Sequence, residues 1–209
     1  MGRRAGLALA ALLLATPALA APGPYDVAFV AAFMDACAPE RQSYEGTQSA
    51  ALASGWAPAE ITANPELEQM MQVSLAGAEA AGFEISYQFE IFAREIEGTA
   101  HYLVVSRTSA STENSGAPTV LIGCYLYNFD AAAPVDPDAV TAAFDSPIIN
   151  QQIDMHVGAW LWGAPPSMPG TGDVYMTFLP ELSHYREETG FSGLVLKFST
   201  SEPDEAATQ

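Results

Sequence analysis

Three histidines and 25 acidic residues are the side chains of this sequence that could support acid–base or metal chemistry. His156 follows Asp154 by two positions, and three glutamates flank His184: Glu181, Glu187 and Glu188. Two loops could bring these imidazoles and carboxylates together as metal ligands or as a general acid and base. The sequence lacks the His-x-x-x-His and His-Glu-x-x-His spacings that place two ligands on one helix face. The simpler interpretation is that these histidines lie on the surface, and we predict no metal centre.

Sequence signatures of covalent catalysis and of nucleotide binding are also missing. There is no Gly-x-Ser-x-Gly elbow, and no glycine-rich loop is followed by Lys-Ser or Lys-Thr. The only lysine, Lys197, falls in a predicted late strand. We therefore expect no cofactor, and the sequence favours a protein without catalytic activity.

Residues 156–173 form an unusual segment that combines two tryptophans with a loop rich in glycine and proline. In an extended chain, Trp160 and Trp162 point to the same side. Such a pair of indoles could hold a sugar ring, a peptide or a partner protein. Alternatively, the indoles cover a sheet edge and the prolines stiffen a long connection. We predict Trp160, Trp162 and the neighbouring His156 as ligand- or partner-binding residues, with the structural alternative left open.

The first 20 residues have the three-part layout of a cleaved secretory signal. Two arginines precede an apolar stretch over residues 5–15, and Ala18 and Ala20 are small residues at the expected cleavage site. We expect cleavage before Ala21 and export to the periplasm or the medium. No later segment approaches the ~20 apolar residues of a membrane-spanning helix, so no span is expected after cleavage.

Export changes the interpretation of the two cysteines, Cys37 and Cys124. An oxidising compartment favours a disulfide, and two cysteines allow only one intramolecular pairing. Cys37 lies on the apolar face of a predicted helix, and Cys124 lies in a predicted buried strand. We predict a structural disulfide between them.

The charge of the chain limits its partners. Acidic residues outnumber Lys and Arg by 25 to 7, which gives a formal net charge of −18. Removal of the signal peptide makes the chain still more acidic, because that segment contains two arginines and no acidic residue. Without a basic patch the protein is not expected to bind nucleic acid or anionic lipid.

The hydrophobic pattern changes from helical to alternating along the chain. Helices are predicted near residues 26–37, 43–54, 64–82 and 136–144, and strands near residues 83–92, 99–106, 119–127, 174–179 and 194–199. We predict one α+β domain at residues 21–200, with the N-terminal helices packed on one face of an antiparallel sheet of about five strands. Residues 201–209 are predicted to be a flexible acidic tail.

Three short motifs, Phe33-x-x-x-Cys37, Gly55-Trp56 and Gly123-Cys124-Tyr125-Leu126, resemble those of small exported bacterial proteins with a single disulfide. The resemblance implies the order of the elements and the disulfide. It implies no activity and no catalytic residue.

The leading hypothesis is an exported, non-catalytic module that binds a partner protein or a small molecule in the periplasm. The alternative is a hydrolase that uses carboxylates together with His156 or His184. A purely structural role in the cell envelope is the third possibility.

Overall fold

The computed structural model describes residues 21–80, 84–111 and 119–203. The predicted signal peptide at residues 1–20 lies outside these ranges, as do Phe83, where the first strand was predicted to begin, and residues 204–209 of the predicted tail. Within these ranges no helix is long and apolar enough to cross a membrane.

The described chain forms five α-helices, one short 3-10 helix and eight strands. The helices are α1 (Pro24–Cys37), α2 (Tyr44–Ala53), α3 (Pro65–Ala80), α4 (Pro137–Phe144) and α5 (Tyr185–Thr189), with the 3-10 helix at Ile61–Ala63. The strands are β1 (Ala57–Pro58), β2 (Glu84–Ile96), β3 (Thr99–Ser111), β4 (Thr119–Asn128), β5 (Ile148–Ile153), β6 (Gly158–Trp162), β7 (Thr171–Leu179) and β8 (Gly193–Ser201).

All eight strands belong to one antiparallel sheet, in the order β1-β2-β3-β4-β8-β7-β6-β5. The α+β class and the antiparallel pairing are confirmed, but the prediction of about five strands is wrong. The strands missing from the prediction are β1, β5 and β6. The first has only two residues, and β5 is exposed along most of its length, so neither shows alternating burial. The third is a five-residue strand beside the Gly/Pro-rich loop.

The first face of the sheet is covered by α1, α2 and α4, and the larger core cluster lies here. Phe33 is fully buried in α1, with ring centroids 5.3 Å from Phe198 and 6.2 Å from Phe144. The predicted disulfide between Cys37 and Cys124 is confirmed, with Cα atoms 5.9 Å apart. It joins the end of α1 to the middle strand β4.

The opposite face, which we call the second face, is covered by α3. Leu67, Met70 and Met71 of this helix are buried in a separate apolar cluster with Val104 and other residues of the sheet. The prediction that all N-terminal helices share one face is therefore wrong for α3. Central strands such as β3 are apolar on both faces, so the sequence pattern does not specify which face a given helix covers.

The described part of the C-terminal segment is held to the sheet. Ser201 is the last residue of β8, and the Arg107 guanidinium donates hydrogen bonds of 2.6–3.1 Å to the Glu202 carboxylate. The contacts continue two residues beyond the predicted domain boundary and fix the end of β8 against β3.

Candidate functional site

A cavity of about 770 Å³ lies between the second face of the sheet and the C-terminal half of α3. We call it the α3 cavity. Its size falls within the ~300–1,000 Å³ typical of small-molecule sites. Most of its wall is apolar, with contributions from the helix, the sheet and the segment after α5: Met71, Val104, Tyr127, Leu179, Phe191 and Val195.

The floor of the cavity is set by the register of the sheet. Val104, Tyr125, Lys197 and Tyr175 are directly paired neighbours across β3, β4, β8 and β7. Because successive side chains of a strand point to opposite faces, directly paired residues share a face. The floor therefore carries one cation between two phenol rings, with an apolar row beside it.

Stacked aromatic rings stiffen this floor along β4. Tyr125 and Tyr127 have ring centroids 6.4 Å apart with planes 10° from parallel, and Tyr127 stacks on Phe129 at 5.4 Å. A Cβ atom at Gly123 would lie 2.6 Å from Cε2 of Tyr125 and 2.7 Å from Oγ of Ser106. The missing side chain at Gly123 is what lets the Tyr125 ring lie down over the strand.

Two tyrosine hydroxyls of the cavity, those of Tyr87 and Tyr127, are neutral polar groups. Burial raises the pKa of Tyr87 to about 12, and it raises the pKa of Tyr127 well above the ordinary value near 10. The Tyr87 hydroxyl donates a weak hydrogen bond to the sulfur of Met71 at 4.0 Å. The Tyr87 and Tyr127 hydroxyls can thus offer hydrogen bonds to a ligand, and the exposed Glu188 of α5 adds a carboxylate to the lining.

Helix α3 is fastened firmly at its N-terminal end. Oδ1 of Asn64 accepts a hydrogen bond of 2.8 Å from the backbone N–H of Glu66, as expected for a capping residue. The Glu66 carboxylate accepts hydrogen bonds from the Ser192 backbone N–H at 2.6 Å and from Arg186 at 2.8 Å. A Cβ atom at Gly190 would lie 2.7 Å from Cα of Met70, so the segment after α5 lies directly against the helix backbone.

Among the described side chains, the C-terminal half of α3 is more exposed than its N-terminal half. Leu67 is fully buried, whereas Leu75, two turns later on the same helix, is 45% exposed. Ser74, Leu75 and Gly77 line the α3 cavity. The helix is held at one end, and its other end forms a wall that stands away from the sheet.

Lys197 is the only lysine of the chain, and its half-buried side chain lines the cavity. Its Nζ atom lies 5.9 Å from the ring centroid of Tyr125 and 5.5 Å from that of Tyr175. The two ion pairs found in the described ranges, Arg107–Glu202 and Arg186–Glu66, do not involve it. Burial lowers the pKa of Lys197, because the ammonium loses hydration.

The structure brings together two of the residues singled out in the sequence, His156 and His184. Their ring centroids are 4.3 Å apart in an edge-to-face arrangement, and His184 also packs on Tyr185. The Asp154 carboxylate accepts hydrogen bonds from the backbone N–H groups of His156 and Val157, which lower the pKa of Asp154. In the part of the chain that the structure describes, no group of three or more His, Cys, Asp or Glu residues is placed to hold a metal ion.

The two predicted binding tryptophans lie in the core of the first face. Trp160 is 6% exposed and Trp162 is fully buried, with its indole N–H donating to Oγ1 of Thr141 at 2.8 Å. Protein atoms cover both indoles, and His156 lies apart from them in the turn between β5 and β6. A binding role for the tryptophan pair stays a prediction. A ligand could reach the two indoles only if the core opened.

Comparison with known proteins adds no assignment. No protein-family model, curated protein or solved structure matches the chain. The functional interpretation therefore rests on the geometry of the site.

The cavity residues escaped the sequence prediction, although two signals were present. Lys197 stood out as the only lysine, and Tyr125 and Tyr127 alternate within a strongly apolar strand. What joins these residues is the pairing of β4 with β8, two strands whose paired residues are 66 to 80 positions apart in the chain. Local periodicity carries no information about such a pairing.

Proposed function

We propose that the protein is an exported, non-catalytic binding module that holds a small, largely apolar molecule in the α3 cavity. The observation that supports this proposal is the cavity itself, an apolar space with a few polar groups between a rigid aromatic floor and a helix fastened at one end. Sites of this composition are typical of small-molecule binding. Export is supported by the disulfide, since such bonds persist in oxidising compartments.

The chemistry of the wall favours a ligand with a hydrocarbon portion. Burial of apolar surface contributes about 0.8 kcal/mol per CH₂ group. Across a series of ligands that differ by one CH₂ group, affinity should therefore rise by about fourfold at each step until the cavity is filled.

The proposal can be tested with N-phenyl-1-naphthylamine, a neutral dye that fluoresces in apolar surroundings. The protein should bind the dye, and Ser74→Trp, which places an indole inside the cavity, should weaken binding at least about tenfold. Thr108→Phe fills the cavity from the opposite wall and should have the same effect, which guards against a local distortion of α3.

The matched control is Gln72→Trp. Gln72 is an exposed residue of the same helix that does not line the cavity, so this variant should bind the dye like the original protein. Absence of dye binding, or equal binding by the Ser74→Trp and Thr108→Phe variants, would reject the proposed function.

The contact between His156 and His184 favours a second candidate function, the histidine- and carboxylate-dependent hydrolase. Two adjacent imidazoles can act as a general base and its positioning partner. Hydrolysis of simple esters by the purified protein, lost in both His156→Asn and His184→Asn, would support this function over binding alone. Activity that persists in both variants, or no activity at all, would reject it.

A further inference from the structure

The α3 cavity contains a charged group that an entirely apolar ligand would leave without a partner. Lys197 lies in the middle of the sheet, on β8, and it is held between the rings of Tyr125 and Tyr175. Within the described ranges no carboxylate lies within 4.0 Å of its ammonium. An ammonium withdrawn from water without an opposite charge is unfavourable, so such groups are normally paired.

The position of Lys197 places this cation at one end of the apolar space. Besides the α3 cavity, Lys197 and Tyr125 line a second, smaller cavity of about 150 Å³ together with Asp173 and Tyr175, and Asp173 forms no ion pair with Lys197. The exposed Glu188, the carboxylate that lines the α3 cavity, belongs to α5 and forms no ion pair with Lys197. The floor of the α3 cavity therefore presents one cation without an ion-pair partner among the described residues, beside a largely apolar wall.

We infer that the ligand is an amphipathic carboxylate of the fatty-acid type, whose head group pairs with Lys197 and whose hydrocarbon chain lies along the apolar wall between α3 and the sheet. This inference rests on the proposed function and names the class of ligand. One cation matches a head group with one negative charge. A phosphate with two charges would retain an unpaired charge in the same surroundings.

Selectivity between matched ligands tests this inference. Dodecanoate and 1-dodecanol have the same chain and differ in the head group, and each is titrated at pH 8 against bound N-phenyl-1-naphthylamine. Dodecanoate should displace the dye at concentrations about ten- to a hundredfold lower than 1-dodecanol, as expected for a hydrogen-bonded ion pair.

Three variants locate the origin of that preference. Lys197→Met keeps the length of the side chain and removes the charge, so the ratio of dodecanoate affinity to 1-dodecanol affinity should fall to about one. Lys197→Arg keeps the charge and should retain the preference. Arg94→Gln is the control, because it also removes one positive charge. The Arg94 guanidinium donates a hydrogen bond to the Ser54 carbonyl oxygen at the end of α2, so this variant should leave the preference for dodecanoate unchanged.

The outcomes separate the two proposals. If the dye binds but the protein does not prefer dodecanoate, or if Lys197→Met keeps the preference, the inference about the head group is wrong and the binding function stands. If neither the dye nor an alkyl ligand binds, both are wrong.

Discussion

His101 is a fully buried imidazole, and both of its ring nitrogens have hydrogen-bond partners. Nδ1 lies 2.8 Å from the Thr99 carbonyl oxygen, which can only accept, so Nδ1 carries the proton. Nε2 then accepts from the Tyr25 hydroxyl at 2.9 Å, and that hydroxyl in turn accepts from the Asn128 amide at 2.6 Å. This chain of bonds fixes the tautomer of the neutral imidazole and ties the start of α1 to β3 and β4.

We predict that His101 makes the fold less stable in mild acid. Burial lowers its pKa, so as the pH falls the unfolded chain takes up this proton before the folded chain does. The contribution of His101 to the free energy of unfolding is complete above about pH 6.5, the ordinary pKa of histidine. This contribution is lost as the pH falls through the lower pKa that His101 has in the folded protein. Urea unfolding between pH 7.5 and 5.5 should show stability decreasing in the original protein.

His101→Gln provides the comparison, because glutamine does not titrate in this range. The variant should be less stable at pH 7.5, since it lacks the imidazole packing, but its stability should change less between pH 7.5 and 5.5. An equal change in both proteins would assign the acid sensitivity to other groups.

Residue identities alone predicted the disulfide, because two cysteines in an exported chain leave one pairing. They could not predict the cavity residues. Lys197 stands out along the chain only as the single lysine, and it forms a site with Tyr125 and Tyr175 only through the pairing of three strands. The tryptophans show the opposite case, because their types and spacing fit a surface platform while the fold places both of them in the core.

At the level of elements, α3 depends on its N-terminal contacts for its position. We predict that Glu66→Ala destabilises the protein by about 1–3 kcal/mol, because it leaves the buried N–H of Ser192 without an acceptor. Urea unfolding gives the free energy, and hydrogen exchange of residues 65–80 should become faster as the helix loosens.

Glu68→Ala is the matched control for this prediction. Glu68 carries the same charge in the same first turn, but its carboxylate accepts a hydrogen bond from the Gln72 side chain of the same helix, at 3.3 Å on the surface. The control should change stability by no more than about 0.5 kcal/mol. If the two variants are equally stable, the contact of Glu66 with Ser192 does not hold the helix.

Sequence patterns located α1 to α4 because the ends of these helices carry local signals, but the five-residue helix α5 was not predicted. Asn64 and Asp136 accept hydrogen bonds from the first turns of α3 and α4, as their types suggested. Strands β1, β5 and β6 had no such signals. The sequence also could not predict which face of the sheet α3 covers, because Val104 and Val105 are both buried, one on each side of the sheet.

At the scale of the whole molecule, the disulfide links segments 87 positions apart in the chain. Closing such a loop restricts the unfolded chain and contributes about 4.6 kcal/mol in the entropy model. We predict that the double variant Cys37→Ala, Cys124→Ala loses about 2–5 kcal/mol of unfolding free energy, measured by urea titration.

The bridge belongs to the first face, so the α3 cavity should tolerate its loss. Below its own unfolding transition, the double variant should still bind N-phenyl-1-naphthylamine with an affinity close to that of the original protein. Loss of dye binding under conditions in which the variant remains folded would instead show that the two faces of the sheet are coupled.

The two faces also differ in their chromophores. All three tryptophans, Trp56, Trp160 and Trp162, belong to the core of the first face. The α3 cavity is lined instead by tyrosines: Tyr87, Tyr125, Tyr127 and Tyr185. The protein thus contains two separate optical reporters. Fluorescence excited selectively at the tryptophans reports whether the core is intact. Tyrosine emission, and energy transfer from the tyrosines to the tryptophans, reports whether the cavity is occupied. Neither measurement requires an attached label.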